Sequence, residues 1–203
     1  VALSYAPTHI SAYHLTIEPN TLFHRAPPAL PDDDLCAEMQ EAIESRLAAG
    51  GFENYETSAF ARPGRRCQHN LNYWLFGDYL GIGAGAHGKL SFPDRVVRQM
   101  RSKHPRHYLD AVGTEASLQD DHEVPVADLP FEFMMNALRL TDGFPLAMFE
   151  ERTGLSTNLV LRALDRAEKE GLIERDHVSV RPSLRGRRFL NELLQRFLPE
   201  PAA

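Results

Sequence analysis

The residues able to do chemistry concentrate between Cys67 and Gly88. Cys67-Gln-His-Asn-Leu-Asn-Tyr-Trp74 sets a thiol, an imidazole and carboxamides beside two large aromatics. A thiolate or an imidazole can ligate a metal, and large aromatic rings can pack on a flat ligand. The following run, Gly77-Asp-Tyr-Leu-Gly-Ile-Gly-Ala-Gly-Ala-His-Gly88, predicts a strand with one side almost bare. Gly81, Gly83, Gly85 and Gly88 lack a Cβ, so a flat ligand could approach the backbone there. A close strand–helix contact explains the glycines equally well, and Tyr73 and Trp74 could simply anchor a long loop in the core. Further polar groups alternate along Ile10–Glu18. Ala12, His14, Thr16 and Glu18 share one face, and Tyr13, Leu15 and Ile17 the other. With Glu56 and Ser58 of a later strand, His14, Thr16 and Glu18 would line a barrel lumen, towards the strand's C-terminal end. They could serve as acid–base machinery or, the preferred reading, position a polar ligand. An edge strand half in water is the plainer alternative.

Several elements must hold these groups. Asp32, Asp33 and Asp34 start a helix whose buried stripe is expected at Leu35, Met39, Ile43 and Leu47, and Gly50-Gly51 stops it. Closed by a strand over 52–61, it makes a βαβ unit of parallel-sheet type. Residues 89–129 show little regular pattern beyond a short helix around 105–112. His104 and His107 there read as an exposed turn rather than a metal site. From Phe131 the pattern becomes helical, with Phe131, Met134, Met135 and Leu138 on one apolar face. Pro145 is expected in the first turn of a second helix. A third helix spans 157–170, capped by Ser156, with Leu159, Leu164 and Ala167 buried. A hairpin (172–174 with 178–180) and a last helix from Ser183 to about Leu198 complete a winged-helix arrangement. Its third helix interleaves Arg162, Arg166 and Lys169 with Asp165, Glu168 and Glu170, which gives no basic stripe for phosphate. Arg185, Arg187 and Arg188 form the one concentrated positive patch, best read as a solvated helix start.

The 203 residues allow one domain or two small ones. A hydrophobic fraction of 43% and a charged fraction of 25% are ordinary for a globular protein, and a formal charge of −6 argues against nucleic acid as the main partner. Two well-separated cysteines make no disulfide framework and point to a reducing cytoplasm. No apolar run is long enough for a membrane span.

Four stretches together are similar to one family: His9-Ile-Ser-Ala-Tyr-His-Leu-Thr-Ile-Glu-Pro-Asn-Thr21, Tyr55-Glu-Thr-Ser-Ala-Phe-Ala61, Cys67–Trp74, and Asp78–Gly88. They resemble the oxygen-independent coproporphyrinogen III oxidase-like radical S-adenosylmethionine (SAM) family, and His-Asn-x-x-Tyr-Trp its heme-chaperone branch. The resemblance implies an α/β fold: the C-terminal half of a radical SAM partial (β/α) barrel over 1–100, a connecting segment over 101–128, and a small winged-helix-like α+β domain over 129–203. It implies heme binding and transfer to acceptor proteins, with His69 as iron ligand, Cys67 as its rival, and Tyr73 and Trp74 on the porphyrin. It also implies a SAM pocket touched by Thr16, Asn72, Gly83, Ala86 and His87. The family's Cys-x-x-x-Cys-x-x-Cys motif for a 4Fe-4S cluster is absent, since Cys36 and Cys67 are the only cysteines. A start at Val1, inside an apparent helix-to-strand passage, fits a C-terminal half. Such a half is expected not to cleave SAM alone, and to partner the missing N-terminal half-barrel or, through an open strand edge, a second copy. The alternatives are a radical oxidase that decarboxylates coproporphyrinogen III and a winged-helix DNA-binding module.

Overall fold

A computed structural model describes residues 1–199, and the chain divides into two compact units, Val1–Cys67 and the part from Gln68 onward. In the first, Asp32 starts the long helix because its carboxylate accepts the Leu35 amide at 2.8 Å, with Asp33 and Asp34 in the first turn. The elements in order are β1 (His9–Ser11), α1 (Leu22–Arg25), α2 (Asp33–Ala49), β2 (Glu53–Glu56) and β3 (Ala59–Ala61). The sheet order is β1-β3-β2, and both neighbouring pairs are antiparallel. This corrects the expected parallel unit, since the single strand expected over 52–61 is an antiparallel pair. After α2 the chain reverses at Thr57-Ser58, too short for a crossover, and Asn54 Nδ2 braces that reversal by donating to the carbonyls of Glu56 and Ala59. The resulting β3 lies between β1 and β2, which run parallel to each other without touching.

The strand expected over 10–18 ends at Ser11. Ala12 N donates to Ser58 O at 2.8 Å, and beyond it the segment has no regular structure. The small core comprises Leu47, Phe52 and Phe60, with Leu3, Ile10, Ala12 and Ile43 packed on it. Half of the expected α2 stripe is therefore uncovered, Leu35 being 46% and Met39 45% exposed.

The second unit begins with α3 (Gln68–Trp74). A meander follows, β4 (His87–Ser91), β5 (Val96–Arg101) and β6 (Leu118–Glu123), with α4 (Pro105–Ala111) and a 3-10 turn between β5 and β6. This antiparallel sheet fills the stretch expected to lack pattern. Periodicity missed it because β6, Leu-Gln-Asp-Asp-His-Glu, buries no residue and carries no apolar alternation.

Next come α5 (Leu129–Ala137), β7 (Phe144–Pro145), α6 (Ala147–Thr153), α7 (Asn158–Lys169), β8 (Ile173–Arg175) and β9 (Ser179–Pro182). Their sheet has the order β7-β9-β8, which is the winged-helix arrangement. Two local expectations are corrected. Pro145 lies in β7 rather than in a helix, since Phe144 and Pro145 pair with Val180 and Ser179. Leu159 is 62% exposed, while Val160, Leu164 and Ala167 carry the buried face. The last helix is broken into α8 (Leu184–Arg188) and α9 (Leu190–Leu194), followed by a 3-10 turn, because Phe189 leaves helical geometry at φ −114°, ψ 45°.

Phe133 sits at the centre of this core, with ring centroids 5.6, 5.2 and 5.3 Å from Phe76, Phe144 and Phe149. Phe76, Val96 and Val124 belong to the same core as the winged-helix residues, so the meander packs with them in one unit.

Candidate functional site

Helix α3 has only seven residues and needs tertiary support. Its C-terminal turn is closed by Phe76 at φ 55° and by the Gly77 amide, which donates to Asn72 O at 2.7 Å. Asn72 Nδ2 also donates to Asp78 O at 2.9 Å. A Cβ on Gly77 would lie 2.2 Å from Asn72 Oδ1, so this tight wrap requires glycine. Asn72 is thereby tied into the helix stop.

His69 lies in the first turn of α3, exposed, with no hydrogen bond to its ring among the described residues. One helical turn later, Tyr73 meets it edge-on at 4.7 Å. Tyr73 in turn rests on Tyr79, centroid to centroid 4.2 Å. Trp74 has different surroundings. The Arg139 guanidinium stands 4.3 Å from its ring, and its Nε1 is buried without a hydrogen-bond partner among the described residues. Tyr73 thus shares a face with His69, whereas Trp74 has the surroundings of a core anchor.

Sequence reasoning missed the groups beneath this helix. Lys89 is fully buried on β4, and its ammonium donates to Phe76 O at 3.0 Å, Asp78 Oδ1 at 3.0 Å and Ser91 Oγ at 2.8 Å. Asp78 also accepts from the Ser91 amide and hydroxyl. Burial lowers the Lys89 ammonium below its usual range, opposed by Asp78. Burial would raise the Asp78 carboxyl, but the hydrogen bonds from Ser91 and Lys89 outweigh it and hold the group below its ordinary value. Tyr79 takes a hydrogen bond from Arg98 Nη1 at 2.8 Å, and Arg98 Nη2 pairs with Glu132 at 2.5 Å. Burial raises the Tyr79 phenol. Lys89 and Arg98 had no visible signal, because a strand charge reads as solvated until its partners are known.

The glycine run is a folded loop rather than the expected strand. Tyr79 forms one bridge with Lys89, Gly83 turns at φ 111°, and Ala86 N closes onto Gly83 O at 3.2 Å. The loop is pinned from outside: the Gly83 amide donates to Tyr108 Oη at 3.1 Å and Arg101 Nε to Gly81 O at 3.1 Å. A Cβ on Gly81 would sit 2.5 Å from His87 O, so this residue serves a backbone-to-backbone approach. A Cβ on Gly83 would meet nothing within 4 Å, leaving open space beside it. Gly83 and Ala86 thus share one turn, and the exposed His87 follows it at the start of β4. Ile82, 84% exposed, projects from the loop.

In the first unit, Thr16, His14 and Glu18 are exposed on irregular backbone, and Cys67 is half-buried. His14 Nε2 lies 3.3 Å from Gln40 Oε1, at a cleft of 270 Å³ lined by Tyr13, Leu15, Leu30, Met39 and Ile43. Glu56 is buried and accepts from the Ser58 amide and hydroxyl at 3.2 and 3.0 Å. Their expected shared lumen face is replaced by a local turn contact, because the chain reverses between them. His104 and His107 pack ring to ring at 4.6 Å, and no group of three or more potential metal ligands occurs among the described residues.

Residues 124–189, which hold most of the winged-helix part, match the HemN C-terminal domain family. The solved structure of coproporphyrinogen III oxidase HemN from Escherichia coli, a radical SAM enzyme, superposes on 97% of this chain and 49% of its own, with a TM-score of 0.71 at 15% identity. The fold is therefore that of the C-terminal part of a HemN-type radical SAM protein. More particularly, the chain is similar to proteins named heme chaperone HemW: it is 45% identical to the Escherichia coli K12 protein and 46% to that of Haemophilus influenzae, each over 200 residues. The Bacillus subtilis relative is 34% identical over 206 residues. Each match takes in 98% of this chain but 52, 51 and 53% of the relative, so the chain spans about half the length of the curated relatives it matches.

Proposed function

We propose that this chain is the heme-handling, C-terminal part of a HemW-type heme chaperone that binds heme and passes it to acceptor proteins. The observation carrying this reading is the exposed imidazole of His69 beside Tyr73, with no ring hydrogen bond among the described residues, on a helix bearing the His-Asn-x-x-Tyr-Trp wording. The residues fit heme as cargo. An exposed imidazole nitrogen can ligate iron, and half-buried Tyr73 offers an aromatic edge against a macrocycle. Trp74 anchors the helix that carries the site, and Cys67 is the rival ligand. Transfer needs a ligand that an acceptor can displace, which suits one exposed histidine better than an enclosed pocket.

Thr16, Asn72, Gly83, Ala86 and His87 are the proposed SAM contacts in a protein of the relatives' full length. The open space at Gly83 and the exposed imidazole of His87 support this placement. A 4Fe-4S cluster does not fit the residues here, because two cysteines cannot supply the three thiolates that hold it. No radical step is therefore assigned to this chain. The setting is proposed to be the cytoplasm, and no helix among the described residues is long and apolar enough to cross a membrane.

Titrating hemin into the chain and into His69→Ala and Cys67→Ser tests the assignment. His69→Ala is expected to weaken binding by more than about tenfold and to shift the Soret band, with Cys67→Ser close to the parent. Loss confined to Cys67→Ser would move the iron ligand to the thiol. Unchanged binding in both would make the helix purely structural.

A further inference from the structure

Helix α3 is too short to orient its own first turn, yet the reading above needs the His69 imidazole held at a fixed angle. That ring meets the Tyr73 ring edge-on, and Tyr73 lies against Tyr79. Tyr79 is fixed twice. Its backbone exchanges hydrogen bonds of 3.0 and 2.9 Å with Lys89, and its phenol oxygen accepts from Arg98 at 2.8 Å. Arg98 is committed to Glu132, the two side chains being only 22% and 26% exposed. Glu132 stands on α5 next to Phe133, whose exposure is zero. A continuous series of contacts thus runs from the winged-helix core, through a charge-assisted pair and two phenol rings tilted against each other, to an exposed imidazole.

Resting on the heme reading, we propose that Tyr79, Arg98 and Glu132 are positioning residues for the His69 ligand: a braced aromatic platform, anchored in the C-terminal helices, that sets the imidazole's orientation. A surface ion pair needs no such continuation, and an aromatic pair serving only packing needs no charged brace. Here the brace ends on Tyr73, whose ring meets the exposed imidazole of His69 edge-on. Arg98 supplies this through two separate nitrogens, Nη1 to the phenol and Nη2 to the carboxylate, which a lysine cannot do together in the same plane.

The test uses the 203-residue chain with Tyr79→Phe, Arg98→Met, Arg98→Lys and Glu132→Gln, alongside His69→Ala. Two readouts are taken: hemin titration with the spin state of the ferric complex, and the ring resonances of His69 by NMR without hemin. Arg98→Met is expected to weaken hemin binding by about tenfold, less than His69→Ala, and to raise the high-spin fraction. Arg98→Lys should recover only part of the loss. Every brace variant should shift the His69 ring resonances while far-ultraviolet circular dichroism stays at the parent's. Should Arg98→Met fail to fold, Tyr79→Phe, which removes one oxygen, decides the matter. Parent-like His69 resonances in both Tyr79→Phe and Glu132→Gln overturn the platform. If the parent chain does not bind hemin through His69, the heme reading falls, and the ring resonances still decide whether the brace positions the imidazole.

Discussion

Lys89 illustrates how much depends on one side chain. All three ammonium donors are used, on Phe76 O, Asp78 and Ser91, and the charge also stands 4.1 Å from the Phe76 ring. It locks the turn after α3 to β4, and so fixes the base of the His69 helix. Lys89→Met leaves those acceptors unpaired and is expected to lower stability by about 1–3 kcal/mol in urea unfolding. The pH dependence has two separate windows. Asp78 titrates below its ordinary value of 3.8 when folded, so its contribution is present above that value and lost as pH falls through the lowered one. Asp78→Asn should flatten the acid limb of the urea midpoint against pH. Lys89 is the opposite case, a base lowered from 10.5 by burial. Its desolvation penalty is in force at neutral pH and is relieved as pH rises towards 10.5, an alkaline rise that Lys89→Met should abolish.

At the scale of elements, Gly186 separates local preference from packing. It lies within α8, where alanine is favoured over glycine by about 1 kcal/mol on propensity alone. A Cβ there would fall 1.8 Å from the backbone carbonyl of Leu172, because α8 crosses directly over the entry to β8. Gly186→Ala is therefore expected to lower the thermal midpoint, at a cost of about 1–3 kcal/mol, against the sign that propensity gives. A midpoint equal to or above the parent's would show that the crossing relaxes freely. The α2 stripe shows a related limit of local reading. Four apolar residues at helical spacing correctly indicated an amphipathic helix, but Leu35 and Met39 are left about half exposed in this unit. Periodicity identifies the face, and neighbouring elements decide whether it is buried.

On the scale of the whole molecule, the winged helix invites comparison with DNA readers, and its charges argue otherwise. Arg166 pairs with Glu170, Arg175 with both Asp165 and Glu168, and Arg196 with Glu170. These arginines on and around α7 are already committed, and the chain carries a net charge of −6. We expect no sequence-specific retention of duplex DNA in mobility-shift assays at moderate salt. A submicromolar complex that weakens steeply with added salt would contradict this.

The sequence alone determined the family resemblance, the short helix near Pro105, and the winged-helix order of helices and hairpin. These are local signals: caps, glycine stops, and one apolar face per helix. It also determined the chemistry on offer at Cys67, His69, Tyr73 and Trp74, since ligand type is written in the side chain. Tertiary structure alone decided that the glycine run folds as a pinned loop, that β3 inserts between β1 and β2, and that a polar stretch forms β6. Those outcomes depend on partners distant in the chain. For the same reason Lys89, Arg98 and Glu132 were invisible beforehand: a charge is read as solvated until the fold brings its counter-charge and its acceptors within about 3 Å.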